Sequence, residues 1–193
     1  MRCWDLRDAP RLKEAVDASL DHLQPWMPWA LDEPQSVEEK VQLLRRFRGQ
    51  FDLGQDYVLG IFSRDESEVV GGSGFHTRAA GDAFEIGYWI RASRAGQGLG
   101  TEATAALTRV GFDYCCADRI DIRVDVGNER SMAIPRKLGF REEARLRRRL
   151  PPREPGGEPR DVVVFTMLRS ELEGTLSARA QVEAFDALGT RVL

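Results

Sequence analysis

The stretch Arg94-Ala95-Gly96-Gln97-Gly98-Leu99-Gly100-Thr101 carries the sharpest chemical signal in the chain. Glycine at alternate positions lets main-chain N–H groups approach a ligand without side-chain interference. If a helix starts here, its first N–H groups have no carbonyl partner and its dipole favours an anion. A phosphate is the ligand such a turn suits, although glycines also serve close packing. Two other residues, Glu85 and His76, are candidates for handling protons. Glu85 shares a strand face with Gly87 and Trp89 by alternation, and a carboxylate beside Trp rings is expected to have a raised pKa. His76, on the adjacent strand, is the rival base. Ser131 sits in the first turn of a helix capped by Asn128. Pro135, four residues on, has no N–H, so the Ser131 carbonyl loses its helical partner and that turn opens to water or ligand.

These residues need elements to hold them. Asp8 followed by Pro10 reads as a cap and first turn, opening a helix to about His22. Leu23–Pro34, rich in Trp and Pro, reads as a loop. Ser36 and Glu39 form a capping box, and Val37, Val41, Leu44, Phe47 and Phe51 follow at helical spacing. The period then changes to two. Tyr57–Ser63, Glu68–His76 and Ala83–Ile90 read as an antiparallel meander, with bends at Asp65 and Gly81-Asp82. A helix follows from Leu99 to about Tyr114, buried along Leu99, Ala103, Leu107, Val110 and Tyr114. Ile120, Ile122, Val124 and Val126 alternate with charges and mark a strand. The helix capped by Asn128 ends at Gly139. Two last strands fall near Glu142–Leu150 and Arg160–Leu168, separated by the turn-rich PPREPGGEP. The tail from Ser170 reads as helical.

Composition narrows the class. A chain of 193 residues suits one domain, and 42% hydrophobic with 31% charged residues is a globular balance. No apolar run is long enough to cross a bilayer and no signal core opens the chain, so a cytoplasmic protein is expected. Cys3, Cys115 and Cys116 make a poor disulfide framework, and with only His22 and His76 beside them no zinc site is expected; they read as buried or half-buried thiols. A net charge of −3 gives no general pull toward nucleic acid. The basic run Arg145-Leu146-Arg147-Arg148-Arg149 reads as a solvated strand face. A dinucleotide-binding reading also fits on paper, since Gly98, Gly100 and Ala103 satisfy G-x-G-x-x-A with Asp121 about twenty residues on. Against it, seven residues separate Ile90 from Gly98, the preceding strands form a meander, and Phe84–Trp89 is not the apolar run of a covered parallel strand.

Four ordered blocks carry a resemblance. They are Trp26-Met27-Pro28-Trp29, Glu85-Ile86-Gly87-Tyr88-Trp89-Ile90, the glycine turn running into Thr101-Glu102-Ala103, and Asn128-Glu129-Arg130-Ser131 leading to Lys137-Leu138-Gly139-Phe140. With them the chain resembles the GNAT superfamily of N-acetyltransferases, and within it the RimJ/RimL-type ribosomal-protein enzymes, from about Leu6 to Leu172.

The resemblance implies an α/β fold: a mixed, mostly antiparallel twisted sheet of six or seven strands, flanked by about four helices, with a splay between the fourth and fifth strands. It implies an acetyltransferase domain over 1–172, followed by a helical tail over 173–193. Acetyl-CoA would be the co-substrate, with no metal. Its pyrophosphate would lie on the amides of Gly96, Gln97, Gly98, Leu99, Gly100 and Thr101. Its pantetheine would lie against backbone groups of Tyr88, Trp89 and Ile90, with Trp89 or Ile90 supplying an N–H to the oxyanion. Asn128 and Ser131 would complete the cofactor side, Ser131 serving the sulfur beside Glu85 as base. Trp26, Trp29, Phe51 and His76 would wall the acceptor pocket. Two departures stand out. The family's Arg or Gln at the start of the loop is Ala95 here, with Arg94 one place earlier, and the tyrosine that many members use as general acid falls at Pro135. The family's first strand is longer, which points to a start upstream of Met1. The expected reaction is direct transfer, through a ternary complex, to a protein or peptide N-terminal α-amine. A small amine acceptor, or a CoA-binding module without catalysis, are the alternatives. No membrane or nucleic-acid partner is expected, and a homodimer stays open.

Overall fold

The computed structural model describes residues 1–193 except 79–81 and 155. Seven strands form one sheet: β1 (Arg2–Cys3), β2 (Tyr57–Phe62), β3 (Val69–His76), β4 (Ala83–Ile90), β5 (Arg119–Asp125), β6 (Arg141–Leu150) and β7 (Arg160–Leu168). The spatial order is β1-β2-β3-β4-β5-β7-β6, antiparallel at every contact except β4 with β5. Only one neighbouring pair, β4 with β5, is parallel, so the sheet lacks the run of parallel βαβ units of a dinucleotide-binding fold and that reading fails on topology. Gly81 of the bend expected at Gly81-Asp82, and Pro155 of the PPREPGGEP turn, lie outside the described residues.

Five α-helices cover the sheet: α1 (Ala9–Asp17), α2 (Leu20–Leu23), α3 (Val37–Asp52), α4 (Leu99–Asp113) and α5 (Glu129–Leu138). The two faces hold separate cores. On one, Leu12, Val16 and Leu44 of α1 and α3 pack with Trp4 and Val69, and Trp89 lies against them. On the other, Leu107, Phe112, Met132 and Leu138 of α4 and α5 pack with Phe75, Ile86, Ile120 and Phe165. This division puts alternate residues of β4 on opposite sides, Ile86 with Tyr88 toward α4 and α5, Trp89 toward α1 and α3.

The capping box on α3 is closed at both ends. Ser36 Oγ accepts from the Glu39 N–H at 3.1 Å, and the Glu39 carboxylate accepts from the Ser36 N–H at 2.7 Å. The first helix departs from expectation. Asp5, not Asp8, begins the turn, capping a short 3-10 segment at Leu6–Asp8. Asp8 is pulled inward, where it accepts from Arg2 at 2.7 Å, Arg11 at 2.6 Å and the Asp5 N–H at 2.9 Å. The helix then stops at Asp17 instead of running to His22. Ser19 Oγ donates back to the Ala15 carbonyl at 2.7 Å and accepts from the Ala92 N–H at 3.0 Å, which ties the break to the loop after β4. The 23–34 loop contains a 3-10 segment at Pro28–Asp32.

The tail from 173 is not helical, contrary to expectation. It runs in turns, with Gly174 and Gly189 at positive φ and one bridge between Phe185 and Arg191. Its carbonyls serve tertiary contacts: Arg109 Nη1 on α4 donates to Ala178 O at 3.0 Å and Ala180 O at 3.1 Å. Cys115 and Cys116 are exposed rather than buried, while Cys3 is intermediate. No helix among the described residues is long and apolar enough to cross a membrane.

Candidate active site

The parallel contact between β4 and β5 lasts three residue pairs, Ala83 with Arg119, Phe84 with Ile120 and Glu85 with Asp121. Beyond them β4 continues to Ile90 and β5 to Asp125 without pairing, so the two strands part. The β3 ladder shows which groups of β4 the gap exposes. The Arg91 N–H donates to the Val70 carbonyl at 2.9 Å, and alternation in an unbroken antiparallel register then assigns Trp89, Gly87 and Glu85 to β3. Ile86, Tyr88 and Ile90 therefore turn their N–H and C=O groups toward β5. The Ser73 hydroxyl, donating to the Gly87 carbonyl at 2.8 Å, agrees with that phase. Of the two amides expected to serve the oxyanion, Ile90 faces the gap. Trp89 does not, because its N–H belongs to the Gly72 pair.

The glycine turn lies after a 3-10 segment at Ala92–Arg94. Gly96 (φ 77°) and Gly98 (φ 84°) are left-handed, and a Cβ at either would meet nothing within 4 Å. Backbone conformation, not close packing, requires glycine there. Gly98 caps α4 with no side-chain bond, and the first helical bond is Glu102 N–H to Gly98 O at 3.0 Å. The amides of Gly96 through Thr101 have no hydrogen-bond acceptor among the described residues, and residues 96–98 are exposed. Gly100 differs: a Cβ there would come within 3.1 Å of Ile134, so α4 and α5 meet closely at this point.

Arg94 is tied elsewhere. Its guanidinium holds Glu68 at 2.5 Å and 3.1 Å, and Arg91 holds the same carboxylate at 3.0 Å. The Arg94 bond holds the Glu68 carboxyl below the usual carboxylate range. Arg94 thus braces the loop against the residue before β3.

Asn128 Oδ1 accepts from the Ser131 N–H at 3.0 Å, capping α5. Pro135 has the effect its missing N–H implies, but the orphan carbonyl is filled from inside. The Tyr88 hydroxyl lies 3.0 Å from Ser131 O and 3.0 Å from Ser131 Oγ. Burial pushes the Tyr88 hydroxyl up to about 12, only partly opposed by its bond to Ser131. It stays protonated at neutral pH and can donate to the carbonyl, leaving the Ser131 O–H free to turn to another acceptor. Sequence reading used only the backbone of Tyr88; Pro135 was the one signal that something must fill this position.

On the opposite face, Glu85 is engaged on both oxygens, by Arg78 at 3.1 Å and Arg123 at 3.1 Å. Neither arginine stood out in the sequence. His76 pairs with Glu85 across the ladder, and its ring lies over Gly87, where an added Cβ would come within 3.1 Å of Nε2. Asp56 holds the other ring nitrogen, Nδ1, at 2.9 Å. Trp29 meets Trp89 edge to face at 5.9 Å between centroids. Two expected wall residues are placed differently. Phe51 packs edge-on against Tyr57 at 5.4 Å, which itself joins the core under α4 and α5. Trp26 is covered by Arg153 of the β6–β7 connection, 4.4 Å above its ring, and Arg160 donates to the neighbouring Pro25 carbonyl at 3.0 Å. The basic run on edge strand β6 lies at the surface, with Arg145 paired to Glu142 and Arg148 to Glu158.

A strand pair that separates beside an exposed, unpaired turn of amides is the arrangement of an acyl-CoA-using transferase. Residues 1–141 match the family model described as Acetyltransferase (GNAT) domain, and the chain belongs to that family. The [Ribosomal protein uS5]-alanine N-acetyltransferase of Escherichia coli (strain K12) is 30% identical over 143 residues, covering 71% of this chain and 72% of that protein. Mycobacterium smegmatis RimJ in complex with CoA-disulfide superposes with a TM-score of 0.79 at 29% identity, over 92% of this chain and 85% of that one. The RimL ribosomal L7/L12 alpha-N-protein acetyltransferase, in complex with coenzyme A, has a TM-score of 0.76 at 24% identity, over 86% and 92% of the two chains, and shows the shared fold. The chain is a GNAT N-acetyltransferase.

Proposed function

We propose that this enzyme moves the acetyl group of acetyl-CoA directly to the α-amine of a protein or peptide N-terminus. The observation that carries the reading is the parting of β4 from β5 next to the unpaired amides of 96–101. Those amides and the α4 dipole suit a pyrophosphate. The gap beyond Glu85 offers the backbone of Tyr88 and Ile90 to the amide groups of pantetheine. An N–H there, aimed at the thioester oxygen as it gains charge, contributes about 3 kcal/mol to the transition state. The Ser131 hydroxyl, left free by the Tyr88 bond to the Ser131 carbonyl, would serve as donor to the departing sulfur. A thiolate of pKa about 8.5 needs only a hydrogen bond or one proton to leave. The identity with the uS5-alanine enzyme supports an N-terminal amine, alanine first, as acceptor.

The test is a set of peptides differing at the first residue, together with small amines, incubated with protein and acetyl-CoA. Thiol release and a 42 Da (roughly one acetyl) gain on the peptide amine are followed together. Acetylation of N-terminal peptides in preference to small amines is expected. Acetylation of small amines alone would replace the acceptor; CoA binding with no acceptor turned over would reduce the protein to a binding module.

A further inference from the structure

We propose that Asp56 and His76 form the base that takes the proton from the incoming amine. The inference rests on acetyl transfer at this site and names a residue pair that performs one of its steps. Asp56 lies immediately before β2, and its carboxylate contacts His76 Nδ1 through both oxygens, at 2.9 Å and 3.1 Å. A carboxylate only accepts, so Nδ1 carries the hydrogen and, in the neutral ring, the Nε2 lone pair is free. That nitrogen stands over Gly87, 3.1 Å from where a Cβ would be. Gly87 is two residues past the last rung joining β4 to β5 and adjacent to Tyr88, whose backbone faces the gap. The missing side chain at Gly87 leaves the ring an open approach to the point where the strands part.

The charged groups around His76 favour it over Glu85. Asp56 faces it from the turn before β2, Glu85 from β4, and Arg78 and Arg123 from the end of β3 and from β5. The two arginines both bind Glu85, so a proton taken up by Glu85 would weaken two ion pairs. Protonation of His76 weakens no such pair, and its side chain is about one-quarter exposed, within reach of a solvent-borne amine.

The step balances without another reactant. The amine nitrogen forms a bond to the thioester carbonyl carbon and gives one proton to Nε2. The carbon–sulfur bond breaks, and the sulfur leaves with the electron pair, stabilised by the Ser131 hydroxyl. The imidazolium returns its proton to water, and the thiolate takes one from water.

Two measurements test the pair. The chain has only two histidines, His22 and His76, so long-range nitrogen–proton spectra resolve both rings. The Nδ1–H tautomer is expected for His76, and Asp56→Asn is expected to abolish that preference. An Nε2–H tautomer in the unaltered protein would overturn the assignment. In turnover with the best acceptor of the set above, His76→Ala is expected to lower kcat by about 10²-fold and to keep CoA affinity. Added imidazole is expected to restore part of the rate, which no packing role would allow. Full activity in His76→Ala, or lost activity that imidazole does not restore while CoA still binds, overturns the pair as base and leaves acetyl transfer standing. An unaltered protein that acetylates nothing in the set overturns both.

Discussion

At the scale of single residues, the site is built from groups that satisfy one another and leave one valence unused. Tyr88 fills the carbonyl that Pro135 orphans, so Ser131 keeps its own O–H for a ligand. Ser131→Ala is expected to lower kcat by about 10-fold or more while changing the KM for acetyl-CoA little, because the contact strengthens only as charge builds on sulfur. Steady-state rates at saturating peptide decide it; an unchanged kcat removes Ser131 from the mechanism. Glu85 teaches the converse. Its residue type and strand face suggested a base, and the two guanidinium groups that engage it come from the turn after β3 and from β5.

At the scale of elements, the breaks in regularity carry the function. Restoring an N–H by Pro135→Ala lets α5 close its bond to the Ser131 carbonyl. A mid-helix proline costs up to about 3 kcal/mol, and each kcal/mol recovered is worth about 2–4 °C in Tm for a chain of this size. The variant is expected to melt higher and turn over more slowly, since the hydroxyl of Tyr88 loses its place; calorimetry beside kinetics checks both. Gly98→Ala forces a left-handed alanine at the cap of α4, a strain of about 1–2 kcal/mol. With open space around that position the strain is in the backbone alone, and a roughly tenfold higher Kd for CoA is expected by titration. Most elements were legible in the sequence. Period-two alternation marked β2 to β5, the Ser36–Glu39 box marked α3, and Gly139 marked the end of α5. The partners that complete the site were not legible. Asp56 meets His76 across twenty residues and Tyr88 meets Ser131 across forty-three. No local pattern encodes such pairs; the sheet register does. The tail misled for a related reason: it read as helical, but Arg109 claims the Ala178 and Ala180 carbonyls and two glycines turn it.

At the scale of the whole molecule, the N-terminal segment is fastened by a buried carboxylate. Burial alone would raise the pKa of Asp8, but Arg2, the Asp5 amide and Arg11 outweigh it and hold it lowered. A depressed folded-state pKa means that its stabilisation is present above the unfolded value of about 3.9. It fades as pH falls through the lower folded value. Asp8→Asn is therefore expected to melt about 1–3 kcal/mol less stable at pH 7, with the gap to the unaltered protein closing below about pH 4. Thermal melts across pH give the result directly.

The brevity of the β4–β5 contact has a signature in deuterated water. In the absence of ligand, neighbouring amides along one strand should exchange at alternating speeds: Gly87 and Trp89 slow, locked to β3, and Tyr88 and Ile90 fast, although all four belong to β4. Saturation with CoA should slow the fast pair and leave the slow pair as it was, so that the open side of β4 finds its partners only when the substrate is aboard.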